Sequence, residues 1–208
     1  MDGRPEDLAR QGTRKAAADE PARGGDGRPA AVGVVGKSGS GKTTLIETLI
    51  PELAKLGLRV ATVKRTARFD IDTPGKDSWR HSRAGAAAYV VASASRLAFV
   101  ETTEAKPEPR QSAAAGRPAR PEPRLSDIVA RFFGDVDLVL CEGYHHQAPQ
   151  VIEVFRLAAG YDHPVCAPGE ALAVVTDAPL EHERRFALDD ATGLARFLVA
   201  RLELVPHA

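Results

Sequence analysis

The chain has no net charge: 28 lysines and arginines are balanced by 28 aspartates and glutamates. A balanced chain has no bulk attraction to a polyanion, so sequence-independent binding to nucleic acid or to an anionic membrane is not expected. Long apolar runs are also missing, and none approaches the roughly 20 residues that a bilayer-spanning helix needs. Cysteine is scarce. Cys141 ends an apolar run and Cys166 precedes Ala-Pro-Gly, so neither belongs to a pair with ligand spacing. A reduced, cytoplasmic protein is expected.

Two stretches lack core-forming residues. In residues 1–29, Leu8 is the only large apolar side chain after Met1, and Gly24, Gly25, Gly27 and Pro29 close the segment. It buries too little to offset chain entropy, which predicts a disordered tail. It has no apolar stretch for a secretory signal and too many acids for a mitochondrial presequence. Residues 102–124 are rich in proline and have no aromatic or β-branched residue after Thr103, which predicts a flexible surface insertion. Roughly 155 residues remain within 30–208, enough for one well-buried nucleotide-binding domain.

In that remainder, short apolar runs alternate with helical patterns. "AAVGVVG" reads as a buried strand entering a turn. From Lys42 the period changes, with Leu45, Ile46, Leu49, Ile50 and Leu53 at helical spacing and Gly57 as a stop. "LRVATVKRT" is a strand and "GKDSWRHSRAGA" a short helix. "AAYVVAS" and "LAFVETT" are adjacent strands that should pair with each other. "LSDIVARFFG" is a helix with Ser126 as its expected cap. "DLVLCEGYHH", "PQVIEVFR" and "EALAVVTDAPL" are strands. The last helix carries Leu194, Phe197, Leu198 and Leu202 as one stripe. The expected fold class is α/β and P-loop NTPase-like: a mostly parallel sheet with helices on both faces, plus a short antiparallel pairing region.

Gly36, Lys37, Ser38, Gly39, Ser40, Gly41, Lys42 and Thr43 complete G-x-x-x-x-G-K-[ST] between a strand and a helix. Glycines let the backbone wrap closely enough to turn successive N–H groups onto phosphate oxygens, and the helix start adds its own free amides. Lys42 would reach the terminal phosphates, Thr43 would offer its hydroxyl to Mg²⁺, and Thr44 would reach the inner phosphate. Lys37 has two readings, an exposed lysine or a contact to a partner subunit's nucleotide.

A P-loop fold also needs an acid at the end of a neighbouring strand for the metal. Glu142, after four apolar residues and Cys141, meets that need. Asp70 and Asp72 alternate about Ile71, with Asp77 close behind; simple pairing with nearby bases and a γ-phosphate-sensing segment both fit them. Adjacent His145 and His146 raise metal ligation with Cys141, but with no second ligand pair a solvated or substrate-facing pair is favoured. His81 reads as an anion contact or surface residue, and Trp79 as packing.

Taken together, "GKSGSGKTTLIETLIPEL", "VKRTARFDIDTPGKDSWRHSRAGA" and "DLVLCEGYHH…PQVIEVFR" resemble the molybdopterin-guanine dinucleotide biosynthesis adaptor family, MobB. The resemblance implies a GTP-binding, weakly hydrolysing homodimer, using GTP and Mg²⁺, that assists the guanylyltransferase attaching GMP to molybdopterin. By motif position it implies Gly36 to Thr44 as the phosphate loop. Asp70, Asp72, Gly75, Asp77 and Ser78 become the family's own segment, Glu142 and Gly143 the second acidic motif, and Asp177 a residue near base recognition. The implied catalytic residues are Lys42, Glu142 and Asp72, and the metal ligands Thr43, Glu142 and Asp70. "RTAR" and "HH" depart from the histidines and the lysine the family commonly has at those places. A small-metabolite P-loop kinase and a metal-chaperone GTPase are the alternatives.

Overall fold

The computed structural model describes residues 28–66, 69–101 and 123–205. The predicted tail, except its last two residues, and nearly all of the Pro-rich insertion lie outside them. The chain forms two compact units, one ending at Arg65 and resuming at Leu125, the other spanning Thr66–Arg124.

The first unit is a six-stranded parallel sheet. Its strands are β1 (Ala30–Val35), β2 (Val60–Lys64), β5 (Leu138–Glu142), β6 (Gln150–Phe155), β7 (Ala173–Thr176) and β8 (Arg185–Phe186), in the order β2-β5-β1-β6-β7-β8. Successive strand side chains face opposite sides. Leu138 and Leu140 therefore enter one core, and Val139 and Cys141 the other. The first core is closed by α1 (Lys42–Lys55) through Leu45, Ile46, Leu49 and Leu53, and by α4 (Ala191–Arg201) through Leu194 and Leu198. On the other face, α3 (Leu125–Phe132) contributes Leu125 and Val129. Helices cover both faces of a parallel sheet, as the alternating pattern predicts.

The helix ends show where local chemistry decides. Gly57 follows α1 with φ 80°, and its amide donates to the Ala54 carbonyl at 3.0 Å; this is the expected glycine stop. Ser126 is not the cap of α3, because the helix already begins at Leu125, whose amide donates to Gln147 Oε1 at 2.8 Å. A side chain from the turn before β6 replaces a local cap, which no short-range pattern announces. Asp190 caps α4, accepting from the Gly193 amide at 2.8 Å. Asp190→Ala is expected to cost about 0.5–2 kcal/mol in urea unfolding without altering the nucleotide site.

The second unit holds α2 (Asp77–Ala84) and the antiparallel pair β3 (Ala88–Ala92) and β4 (Leu97–Glu101). The two strands pair with each other as expected. α2 is shorter than the Gly75–Ala86 span predicted for it and ends at Gly85, whose φ is 110°. Among the described residues, no helix is long and apolar enough to cross a membrane.

Candidate nucleotide site

β1 brings the chain to Gly36 at the carboxyl edge of the parallel sheet, with β5 on one side and β6 on the other. Open α/β sheets place their ligand crevice at such an edge. Gly36 has φ +143°, and a Cβ there would lie 2.3 Å from the Val154 carbonyl oxygen and 2.7 Å from Ser40 Oγ. Only glycine lets the loop leave the strand this close to β6. Gly41, with φ 99°, then turns the chain into α1.

The start of α1 is left open. Its first turn contains no acid and its N-terminus has no side-chain cap, so among the described residues no cap competes for those amides or for the positive end of the helix dipole. Ser40 is almost fully buried, and its hydroxyl has no hydrogen-bond partner among the described residues. A buried polar atom left without a partner is uncommon, and a bound anion would supply acceptors for it. Lys42 Nζ donates to the Lys37 carbonyl at 2.7 Å, bridging the loop. An ammonium has two further donors for phosphate oxygens.

Two neighbouring strands complete the site. Thr43 Oγ1 lies 3.4 and 3.3 Å from the two carboxyl oxygens of Glu142, the last residue of β5. Lys64, the last residue of β2 and the register partner of Glu142, brings Nζ to 3.3 Å from Glu142 Oε2. Sequence reasoning counted Lys64 among the bases near Asp70 and Asp72 and missed its pairing with Glu142. Its signal is a lysine ending the strand that pairs with the acidic one. The oxygen donors of Thr43 and Glu142 suit Mg²⁺, a hard cation that takes hydroxyl and carboxylate ligands.

Other predicted residues have local partners. Asp177 Oδ1 accepts from the Leu157 amide at 2.9 Å, tying the end of β7 to the 3₁₀ turn Leu157–Ala159. Lys37 Nζ sits 5.3 Å from the centre of the Tyr161 ring, a cation–π contact. In the second unit, Asp70 is exposed. Asp72 accepts from the Thr73 amide at 2.8 Å, and from Ser78 Oγ and Tyr89 Oη at 3.1 Å each. It therefore braces the turn into α2. Trp79 is partly buried, with the Arg83 guanidinium 5.7 Å from its ring.

Cys141 is not placed with the histidines. Its side chain is fully buried in the core beneath α3, and burial pushes the thiol up to about 12. His145 instead meets Cys166 and Glu170, neither of which sequence spacing had grouped with it. Glu153 was also missed. It is buried in β6 and accepts amides from Val165 and Cys166. An acid amid "VIEVF" is its sequence signal.

The glycine-tight loop, the open helix start, and the lysine, threonine and acid around them define a P-loop nucleotide-binding protein. Residues 31–177 match the family described as Molybdopterin guanine dinucleotide synthesis protein B, MobB, and the chain belongs to that family. It is 35% identical over 166 residues to the Molybdopterin-guanine dinucleotide biosynthesis adapter protein of Escherichia coli (strain K12), covering 78% of this chain and 87% of that one. A protein of the same description from Haemophilus influenzae is 35% identical over 156 residues, covering 74% and 78%. A solved structure of molybdopterin-guanine biosynthesis protein B, mobB, superposes with a TM-score of 0.57 at 30% identity, covering 83% of this chain and 99% of the other.

Proposed function

We propose that this chain is a GTP-binding adapter with weak GTPase activity in molybdenum cofactor biosynthesis. In this role it assists a guanylyltransferase in attaching GMP to molybdopterin. Membership of the MobB family supports the pathway. The observation that carries nucleotide binding is the junction of the phosphate loop with Glu142: Lys42 bridges the loop, and Thr43 lies 3.3 Å from the acid.

In this reading, loop amides and Lys42 hold the β- and γ-phosphates, and Thr43 and Glu142 hold Mg²⁺. The ion, when bound, neutralises charge building on the phosphates. Asp70 and Asp72 belong to the segment that responds to the terminal phosphate, and Asp177 to base recognition. Turnover is slow when no side chain rigidly orients the attacking water and no arginine finger is supplied. The protein acts in the cytoplasm as a homodimer. Val90, Val91 and Leu97 are exposed on the β3–β4 pair, an apolar surface of the kind partners cover.

Calorimetry with the full chain tests the assignment. GTP should bind more tightly than ATP, and more tightly with Mg²⁺ than without it. Lys42→Ala removes a charged donor, a loss of about 1.5–3 kcal/mol, equivalent to a ten- to hundred-fold weaker Kd with unchanged circular dichroism. Identical GTP titrations of the variant and the parent would dismiss the site.

A further inference from the structure

Three side chains of different chemistry that have no part in the phosphate loop meet within the same unit. His145 lies on the turn after β5, and Cys166 and Glu170 lie on the segment before β7. His145 Nε2 is 3.7 Å from Cys166 Sγ and 3.2 Å from Glu170 Oε1. The three donor atoms all lie within 4.8 Å of one another. In a tetrahedral zinc site, bonds of about 2.0–2.3 Å place neighbouring donors about 3.4–3.6 Å apart. The two edges from His145 are thus close to that spacing, and the sulfur–carboxyl edge is within 4.8 Å.

We propose that His145, Cys166 and Glu170 bind one divalent transition-metal ion of the zinc class, leaving a fourth coordination position open to water or an incoming ligand. Imidazole, thiolate and carboxylate together suit borderline cations such as Zn²⁺ or Co²⁺ and disfavour Mg²⁺ and Ca²⁺, which prefer oxygen alone. Three protein donors with one vacancy is the pattern of a site that exchanges ligands, whereas a purely structural site has four.

The surroundings hold the donors in place. Glu153, buried in β6, accepts the amides of Val165 and Cys166, the latter at 2.8 Å, and so fixes the cysteine from behind. The turn from Cys166 to Glu170 is closed by paired bonds, Ala167 N to Glu170 Oε2 at 2.8 Å and Glu170 N to the Ala167 carbonyl at 3.0 Å. His146 stacks on His145 with ring centres 4.6 Å apart. Outer contacts of this kind orient metal ligands, and their loss commonly weakens binding ten- to a hundred-fold. The cysteine binds as its thiolate, so its proton passes to solvent as the sulfur–metal bond forms.

Co²⁺ is the direct probe, added to the metal-free full chain, followed by Zn²⁺ competition. The expected result is one equivalent bound, with a thiolate-to-cobalt charge-transfer band in the near ultraviolet that Zn²⁺ abolishes. Cys166→Ser should eliminate the band and weaken Zn²⁺ at least ten-fold, and His145→Ala should weaken it similarly. Cys141→Ala should keep both, with thermal melts confirming that each variant is folded. Absence of stoichiometric cobalt, a band surviving in Cys166→Ser, or a band lost in a folded Cys141→Ala overturns the site. GTP titration of the same preparations reports the nucleotide site separately, so either conclusion can fail alone.

Discussion

Gly36→Ala is expected to destabilise the first unit by about 2–6 kcal/mol and to cripple nucleotide binding in whatever fraction stays folded. The added Cβ would sit 2.3 Å from the Val154 carbonyl oxygen, and that oxygen belongs to the backbone of β6 in the middle of the sheet. A flexible side chain could swing aside, but this backbone atom cannot. Overpacking of this kind costs about 1–3 kcal/mol, and a non-glycine residue forced into φ +143° adds about 1–3 kcal/mol more. Gly39→Ala is the internal control. Gly39 also has positive φ, but a Cβ there has nothing within 4 Å, so only the conformational term of about 1–2 kcal/mol remains. Urea unfolding of the two variants should separate them clearly, and GTP calorimetry should show the larger loss for Gly36. Equal stabilities would mean that close approach to β6 is not what demands glycine at this position.

The contrast between these two glycines marks what the sequence could show. The motif names both, and it correctly places a strand before the loop and a helix after it. It does not say which glycine is held against another strand, because Val154 is far along the chain and strand order is set by the whole sheet. Glu142 was legible because an acid ending an apolar run can be read from a few residues. Lys64 was not, because its pairing with Glu142 depends on β2 lying beside β5.

The same limit explains the second site. Cys141 and His145 are four residues apart in sequence, so a metal site joining them came up, but the lack of a second ligand pair favoured solvated or substrate-facing histidines. Cys141 points into the core while the turn through Gly143 redirects the chain. Gly143 has φ +87°, and a Cβ there would lie 3.1 Å from Arg65 Cβ. The histidine then finds Cys166, which long-range folding supplies. β8 escaped for a simpler reason: two residues, Arg185 and Phe186, cannot display an alternation.

Glu153→Ala is expected to cost about 2–5 kcal/mol, an unusually large effect for removing an acid from a strand. Glu153 is 1% exposed and flanked along β6 by buried Ile152 and Val154. It contributes by accepting the amides of Val165 and Cys166. Truncation leaves those two donors without their acceptor, at about 1–3 kcal/mol for each that stays buried, and opens a cavity in the sheet face. Glu153→Gln keeps one acceptor oxygen but turns an NH₂ group towards one of the amides, so its loss should be about half as large. Amide hydrogen exchange provides the local readout. Protection of Val165 and Cys166 should fall sharply in Glu153→Ala while that of β1 and β5 changes only with global stability. If both amides stay as protected as in the parent, the carboxyl group is not what anchors this segment. Because Cys166 sits on the anchored segment, a folded Glu153→Ala should also bind Zn²⁺ more weakly, whereas Asp190→Ala, with its cap at the start of α4, should not.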